Sequence, residues 1–181
     1  NLASGSDVLN SEIKPVIEIC QTQKQKNLFR IFRYYWSSPY SEYVGRRIKL
    51  IIRDYGLPNK PVIGIAALGS PIIHIPERDE WIGWDKATRQ ANLGQVVGLS
   101  RFLIRPGVCS PNLASRSYRL LLDRVAPDWQ ERYGIGPVLI ETFVDRSTQT
   151  GKSLSAANWR RLGQSQGRGR SSPSAKVCPK T

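Results

Sequence analysis

Apolar residues along the chain recur at two spacings, and the alternation between them divides 181 residues into strand-like and helix-like stretches. In VGRRIKLIIRDYG, Val44, Ile48, Leu50 and Ile52 keep even intervals with basic residues between them, a period of two that predicts a strand. Gly56, Pro58 and Asn59 supply its turn. PVIGIAALGSPIIHIP at 61–76 is one apolar run interrupted by Gly64, Gly69, Ser70 and Pro71, which predicts a buried strand, a tight bend and a second extended piece. VVGLSRFLI at 96–104 has strand composition, and RPGVCSP beyond it holds two prolines and a glycine that stop any regular element. PVLIETFVDRS at 137–147 reads as a central strand.

Helical spacing fills the gaps. ERDEWIGW at 77–84 reads as a loop, after which Asp85 caps a helix through Ala87, Ala91, Leu93 and Gln95 that ends by Gly98. Asn112 caps another, with Leu113, Ala114 and Ser115 in its first turn and Leu120, Leu121 and Val125 on its apolar face; Pro127 then opens a further short helix, PDWQERYG. Ala156, Ala157, Asn158 and Trp159 suggest a short helix ended by Gly163. Residues 21–55 start polar and basic and become aromatic, with Phe29, Phe32, Tyr34, Tyr35, Trp36, Tyr40 and Tyr43; these rings either pack a helix against a sheet or stack nucleic-acid bases beside the arginines. These elements fit one domain, and 40% apolar content suffices for its core.

The strand, loop and helix at 99–116 are the first candidate for chemistry. Unpaired amides and the positive end of a helix favour phosphate or carboxylate, small Ala114 and Ser115 let an anion approach, and Arg101, Arg105 and Arg116 add charge; a capped helix start with arginines is also an ordinary surface feature. Glu141 and Asp145 are acids in an apolar strand, so Glu141 is either a general base or the partner of an arginine on a neighbouring strand. Arg78, Asp79, Trp81 and Trp84 form either a substrate platform or a closed core edge with a local Arg78–Asp79 ion pair. Gly69 and Ser70 either pack or bring backbone close to a substrate.

Charge adds a partner class. Lys and Arg number 27 against 14 Asp and Glu, a net +13, and six of those cations fall without an acid in 160–181. Arg160, Arg161, Arg168 and Arg170 are therefore candidate nucleic-acid contacts, with a phosphorylated ligand as the other polyanion. Cys20, Cys109 and Cys178 lack paired spacing, which argues against a disulfide framework or zinc cluster and suits a reducing cytoplasm. His74 is alone in PIIHIP and reads as packing, so histidine metal sites and Ser-His-Asp triads are not expected. No apolar run of about 18 residues and no signal-peptide pattern occurs, so no membrane is expected, and the lack of any Met suggests part of a longer reading frame.

The ordered words RDEWIGW, LSRFLIRPGV, PNLASR, W-x-x-x-YG, PVLIETFVD and AANW-x-x-LG-x-x-x-GRGR resemble the DruA-like family, named for protein A of the Druantia anti-phage defence system, over roughly 60–170. The resemblance implies defence or transposon-associated biology, with other proteins of those systems as partners. A more remote likeness is to GNAT-like acyltransferases of the phage DNA-modification (Mom) type, and Gln164, Gly167 and Gly169 match their Q-x-x-G-x-G pyrophosphate signature. That likeness implies an α+β fold, a GNAT-like mixed, largely antiparallel sheet flanked by helices. It would put Ser100 and Arg101 beside an acyl-CoA cofactor, its pyrophosphate on Asn112, Leu113, Ala114, Ser115 and Arg116 with Asn158 nearby, and Glu141 or Asp145 toward substrate. The expected layout is a partial helical segment at 1–30, one domain at 31–170 and a disordered basic tail at 171–181. Three functions follow: a defence protein that modifies or senses DNA, a silent nucleic-acid-binding module of a mobile element, or a small-molecule N-acyltransferase.

Overall fold

A computed structural model of the chain describes residues 12–36 and 45–165. Tyr40, Tyr43, Val44, Arg168, Arg170, the Gly167 and Gly169 pair, Cys178 and the tail at 171–181 lie outside the described residues. The fold is α+β: five strands in the order β1-β2-β3-β4-β5, with the first four antiparallel and β5 parallel to β4. They are β1 (Pro15–Ile19), β2 (Arg47–Asp54), β3 (Val62–Gly69), β4 (Val96–Ile104) and β5 (Leu139–Thr142).

β3 is buried at every position, as its unbroken apolar run requires of a strand with neighbours on both edges and cover on both faces. On one face, Leu50, Ile52, Ile63, Ala66, Leu68, Val97 and Leu99 pack under α4 (Leu113–Tyr133), with Leu121, Val125 and Trp129 facing inward. On the other, Ile51, Val62, Ile65 and Ala67 pack under α1 (Gln23–Trp36) through Phe29 and Phe32. The short helices α2 (Pro76–Ile82), α3 (Lys86–Asn92) and α5 (Lys152–Ser155) finish the ends.

Pairing between β3 and β4 slips by one residue at Ala67/Leu68, so that Arg101 faces Ala67 while Leu99 faces Leu68 and Ser100 is the extra residue. The Ser100 hydroxyl donates to the Ala67 carbonyl at 3.1 Å. This bulge switches the parity of β4 and lets both Val97 with Leu99 and Phe102 with Ile104 face the α4 side.

Several expectations are corrected. Within the partial helical segment expected at 1–30, residues 15–19 form β1, which pairs with β2 in the same sheet, and α1 runs on past residue 30. Residues 76–82 form helix rather than loop: Pro76 fits the first turn, and Gly83 closes the end in the left-handed region at φ 83°. Leu113–Tyr133 is one helix through Pro127, which sits on its exposed side where a missing amide costs least. β5 is a four-residue edge strand, not a central one. The second half of 61–76 is not core, since Ile72, Ile73 and His74 are exposed.

Gly64 is required by close packing: a Cβ there would press on the Leu103 carbonyl and crowd Ile104 and Ile52. Gly64→Ala is expected to destabilise by about 1–3 kcal/mol, whereas Gly94→Ala, which meets nothing within 4 Å, stays within roughly 0.5 kcal/mol; urea unfolding of both variants checks this contrast.

Candidate functional site

Two helix starts and one ion cluster define the polar architecture. In α2, Arg78 is 1% exposed, and all five of its guanidinium donors are used. Nε and Nη2 donate to Asp79 Oδ1 at 3.0 and 2.8 Å, Nη1 to the Ile72 carbonyl at 2.8 Å and Glu141 Oε2 at 3.1 Å, and Nη2 to the Ile73 carbonyl at 3.2 Å. The Ile72 amide donates to Glu141 Oε1 at 3.1 Å, and Arg89 Nη1 to Asp79 Oδ2 at 2.9 Å. The Trp84 ring lies 5.9 Å from the Arg78 guanidinium. Glu141 thus has its arginine, supplied by a helix rather than by a neighbouring strand. Burial pushes its carboxyl above the ordinary range, against the opposing pull of Arg78. For Asp79 burial also pushes upward, but hydrogen bonds and charge from Arg89 and Arg78 carry the net shift below the ordinary range.

Asp145 bonds instead to its own turn. Its carboxylate accepts from the Ser147 amide and hydroxyl at 2.9 and 2.6 Å, and those bonds lower its pKa; it shapes a turn. Trp81 is 47% exposed with the Arg160 guanidinium 5.7 Å from its ring, so the residues expected as a substrate platform divide into a buried clamp, Arg78 with Asp79, and an outer ring held by Arg160. Arg161 is exposed.

The expected anion cradle is divided by the sheet. Arg101 shares a cross-strand row with Lys49 and Ala67 on the α1 side, while Leu113 and Ala114 belong to the α4 side. Asn112 does not cap α4 with its side chain; it takes the left-handed region at φ 56°, and Ser115 Oγ donates to its carbonyl at 3.0 Å. Arg116 turns away to the Ile13 carbonyl at 3.0 Å. Asn158 is exposed in a turn at φ 63°. What does exist at the helix start is an open depression of about 480 Å³ lined mainly by Ile104, Val108, Cys109, Pro111, Leu113 and Ala114, with Ser110 as its polar hydroxyl.

α1 carries a charged surface among the described residues. QKQKNLFRIFRYYW contains Lys24, Lys26, Arg30 and Arg33 and no acid. Helical phase turns Phe29 and Phe32 inward at 2% and 1% exposure and leaves Lys24, Lys26, Arg30 and Ile31 outside with Tyr34 and Tyr35, at 77% and 70%. Phe29 and Phe32 therefore pack the helix against the sheet while Tyr34 and Tyr35 stay exposed, and the helical phase of Phe29 and Phe32 was the signal that could have separated the two groups. On the sheet beside α1, Arg47, Lys49 and Arg101 occupy the same side.

An open, mostly antiparallel five-stranded sheet covered on both faces by helices, with a basic and aromatic outer helix, is the class that the fold defines. The family profile described as Druantia protein DruA matches residues 1–178, and the chain belongs to that family. It is 37% identical over 96 residues, 52% of the chain, to Druantia protein DruA of Escherichia coli (strain UMEA 4076-1). The matched stretch spans 23% of that curated relative's length. No solved structure matches the chain. Among the described residues no helix is long and apolar enough to cross a membrane.

Removing Arg78 leaves Glu141 without a cation and Asp79 with Arg89 alone, so Arg78→Ala is expected to cost about 3–5 kcal/mol, and Arg78→Lys, with three donors for five, recovers only part of it in urea titrations. Glu141 also imprints a pH dependence. Its folded pKa lies above the unfolded value, so the folded state holds the proton more readily, and this group's contribution to stability falls as pH rises from about 4.5 through the folded pKa. The stability difference between wild type and Glu141→Gln should decline with pH across that window and be flat above it; a rise across it would contradict the assignment.

Proposed function

We propose that this chain is a nucleic-acid-contacting part of a Druantia-type anti-phage defence protein, which holds DNA against the outer side of α1 and acts with other proteins of that system. The single observation behind the reading is the composition of that helix: four cations, no acid, and its apolar residues Phe29 and Phe32 committed to the core, so that Lys24, Lys26 and Arg30 stand outward. The basic row Arg47, Lys49 and Arg101 extends the same side. A polyanion gains from such a surface because each neutralised phosphate releases condensed counterions. A mobile-element module would use the same contact, and the net +13 of the whole chain draws DNA of any sequence.

A small-molecule acyltransferase is the second reading. The apolar depression beside Ala114 favours it, since a ligand such as an acyl-CoA carries both an apolar chain and a pyrophosphate for the helix start. Against it, Ser100 is spent on the β4 bulge, Arg116 on the Ile13 carbonyl and Glu141 on Arg78, which leaves no positioned base among the residues expected for one. Acetyl-CoA should accordingly leave the melting midpoint unchanged where DNA raises it.

Fluorescence anisotropy with labelled single-stranded and duplex DNA over about 50–200 mM salt tests the main reading. The logarithm of the affinity should fall linearly with the logarithm of salt, and Lys24→Ala, Lys26→Ala and Arg30→Ala should each reduce the slope by about one. An unchanged slope in all three variants would remove α1 from the interface.

A further inference from the structure

We infer that the α1 surface is built for an unpaired strand rather than a duplex, with Tyr34 and Tyr35 as the stacking platform; this rests on the nucleic-acid reading above. Tyr34 and Tyr35 expose 77% and 70% of their area at the end of a helix whose two phenylalanines, Phe29 and Phe32, are buried. Two large rings left in water beside cations are what base stacking uses, because every base has a π face, whereas a duplex hides those faces and offers only edges and phosphates. The two rings meet edge to face, with centroids 5.4 Å apart and planes 79° apart.

Helical geometry lays the charge along the same track. Lys26, Arg30 and Tyr34 follow at four-residue steps, and Ile31 precedes Tyr35 by four. Lys26 to Tyr34 covers about 12 Å at 1.5 Å per residue, and Lys24 lies in line with Ile31 and Tyr35 on the neighbouring row, so a backbone can run over the cations while its bases reach the rings. Phe29 and Phe32 anchor the helix on Ile51, Ile65 and Ala67, so the platform is fixed before a strand arrives. Ile31, 49% exposed, adds an apolar surface between the cations and the rings.

The test measures anisotropy at one ionic strength with oligothymidylate, oligouridylate and a duplex of equal length, for the wild type, Tyr34→Ala with Tyr35→Ala, Tyr34→Phe with Tyr35→Phe, and Tyr34→Ala alone. Oligothymidylate or oligouridylate should bind at least about tenfold tighter than duplex, and whichever binds tighter names the source of the strand. The double alanine variant should lose about tenfold or more on single strands while its weaker duplex binding and its melting midpoint stay put, the single variant part of that, and the phenylalanine variant should keep wild-type affinity, since it retains both π faces. Equal or tighter binding of duplex, or single-strand binding indifferent to the alanines, overturns the inference and leaves the nucleic-acid reading standing. Failure of all three probes to bind overturns both.

Discussion

Everything in this fold follows from the complete burial of β3. A strand of Val62, Ile63, Gly64, Ile65, Ala66, Ala67, Leu68 and Gly69 carries no polar side chain on either face, so both faces of the sheet must be covered and both of its edges paired. α4 covers one face with Leu121, Val125 and Trp129, and α1 the other with Phe29 and Phe32. Because α1 turns Phe29 and Phe32 inward, Lys24, Lys26 and Arg30 and the last two tyrosines face outward, while Arg33 is buried. The surface read above as a nucleic-acid contact is the reverse side of a packing requirement.

The two outer strands are secured by arginines, in different ways. At β1, Arg116 and Arg124 lie two turns apart on α4 and donate to the Ile13 and Ile17 carbonyls, which satisfies backbone acceptors beside an otherwise open edge. At β5, Arg78 spends all five donors to tie the 72–73 backbone, Asp79 and Glu141 together. Ion pairs this buried add little net stability over an apolar core, yet breaking one is costly, so they specify position more than strength. Residues that sequence alone offers as catalytic or anion-binding are here largely employed in holding the sheet's ends. Arg116 is held by the Ile13 carbonyl and Glu141 by Arg78, whereas Lys24, Lys26 and Arg30 stand outward on α1.

Much of the architecture is legible without coordinates. Period-two apolarity marks β2, the unbroken apolar run marks β3, and Asp85 is the helix cap its position suggests, accepting from the Thr88 amide at 2.7 Å. The Arg78–Asp79 pair and the helix start after Pro111 are likewise present. Less legible was 76–82: Trp and charge together look like a loop until the buried guanidinium supplies the reason for a helix. Pro127 looks like a beginning because sequence does not say which side of a helix faces solvent. Arg101 looks adjacent to 112–116 because chain distance is short, but the sheet lies between them.

Local chemistry, then, was enough to determine from sequence where β2, β3 and β4 and the helices after Asp85 and Pro111 form, that the chain is basic, and that 21–36 carries arginines among aromatics. Those properties depend on side-chain periodicity and on charges that no fold can remove. Only the tertiary structure decided which aromatics are core and which are surface, which arginines are consumed by backbone carbonyls and carboxylates, and which residues share a face. Such assignments depend on register and on contacts between residues up to 107 positions apart, such as Arg124 with Ile17, and a one-residue bulge at Ser100 is sufficient to exchange the faces of β4.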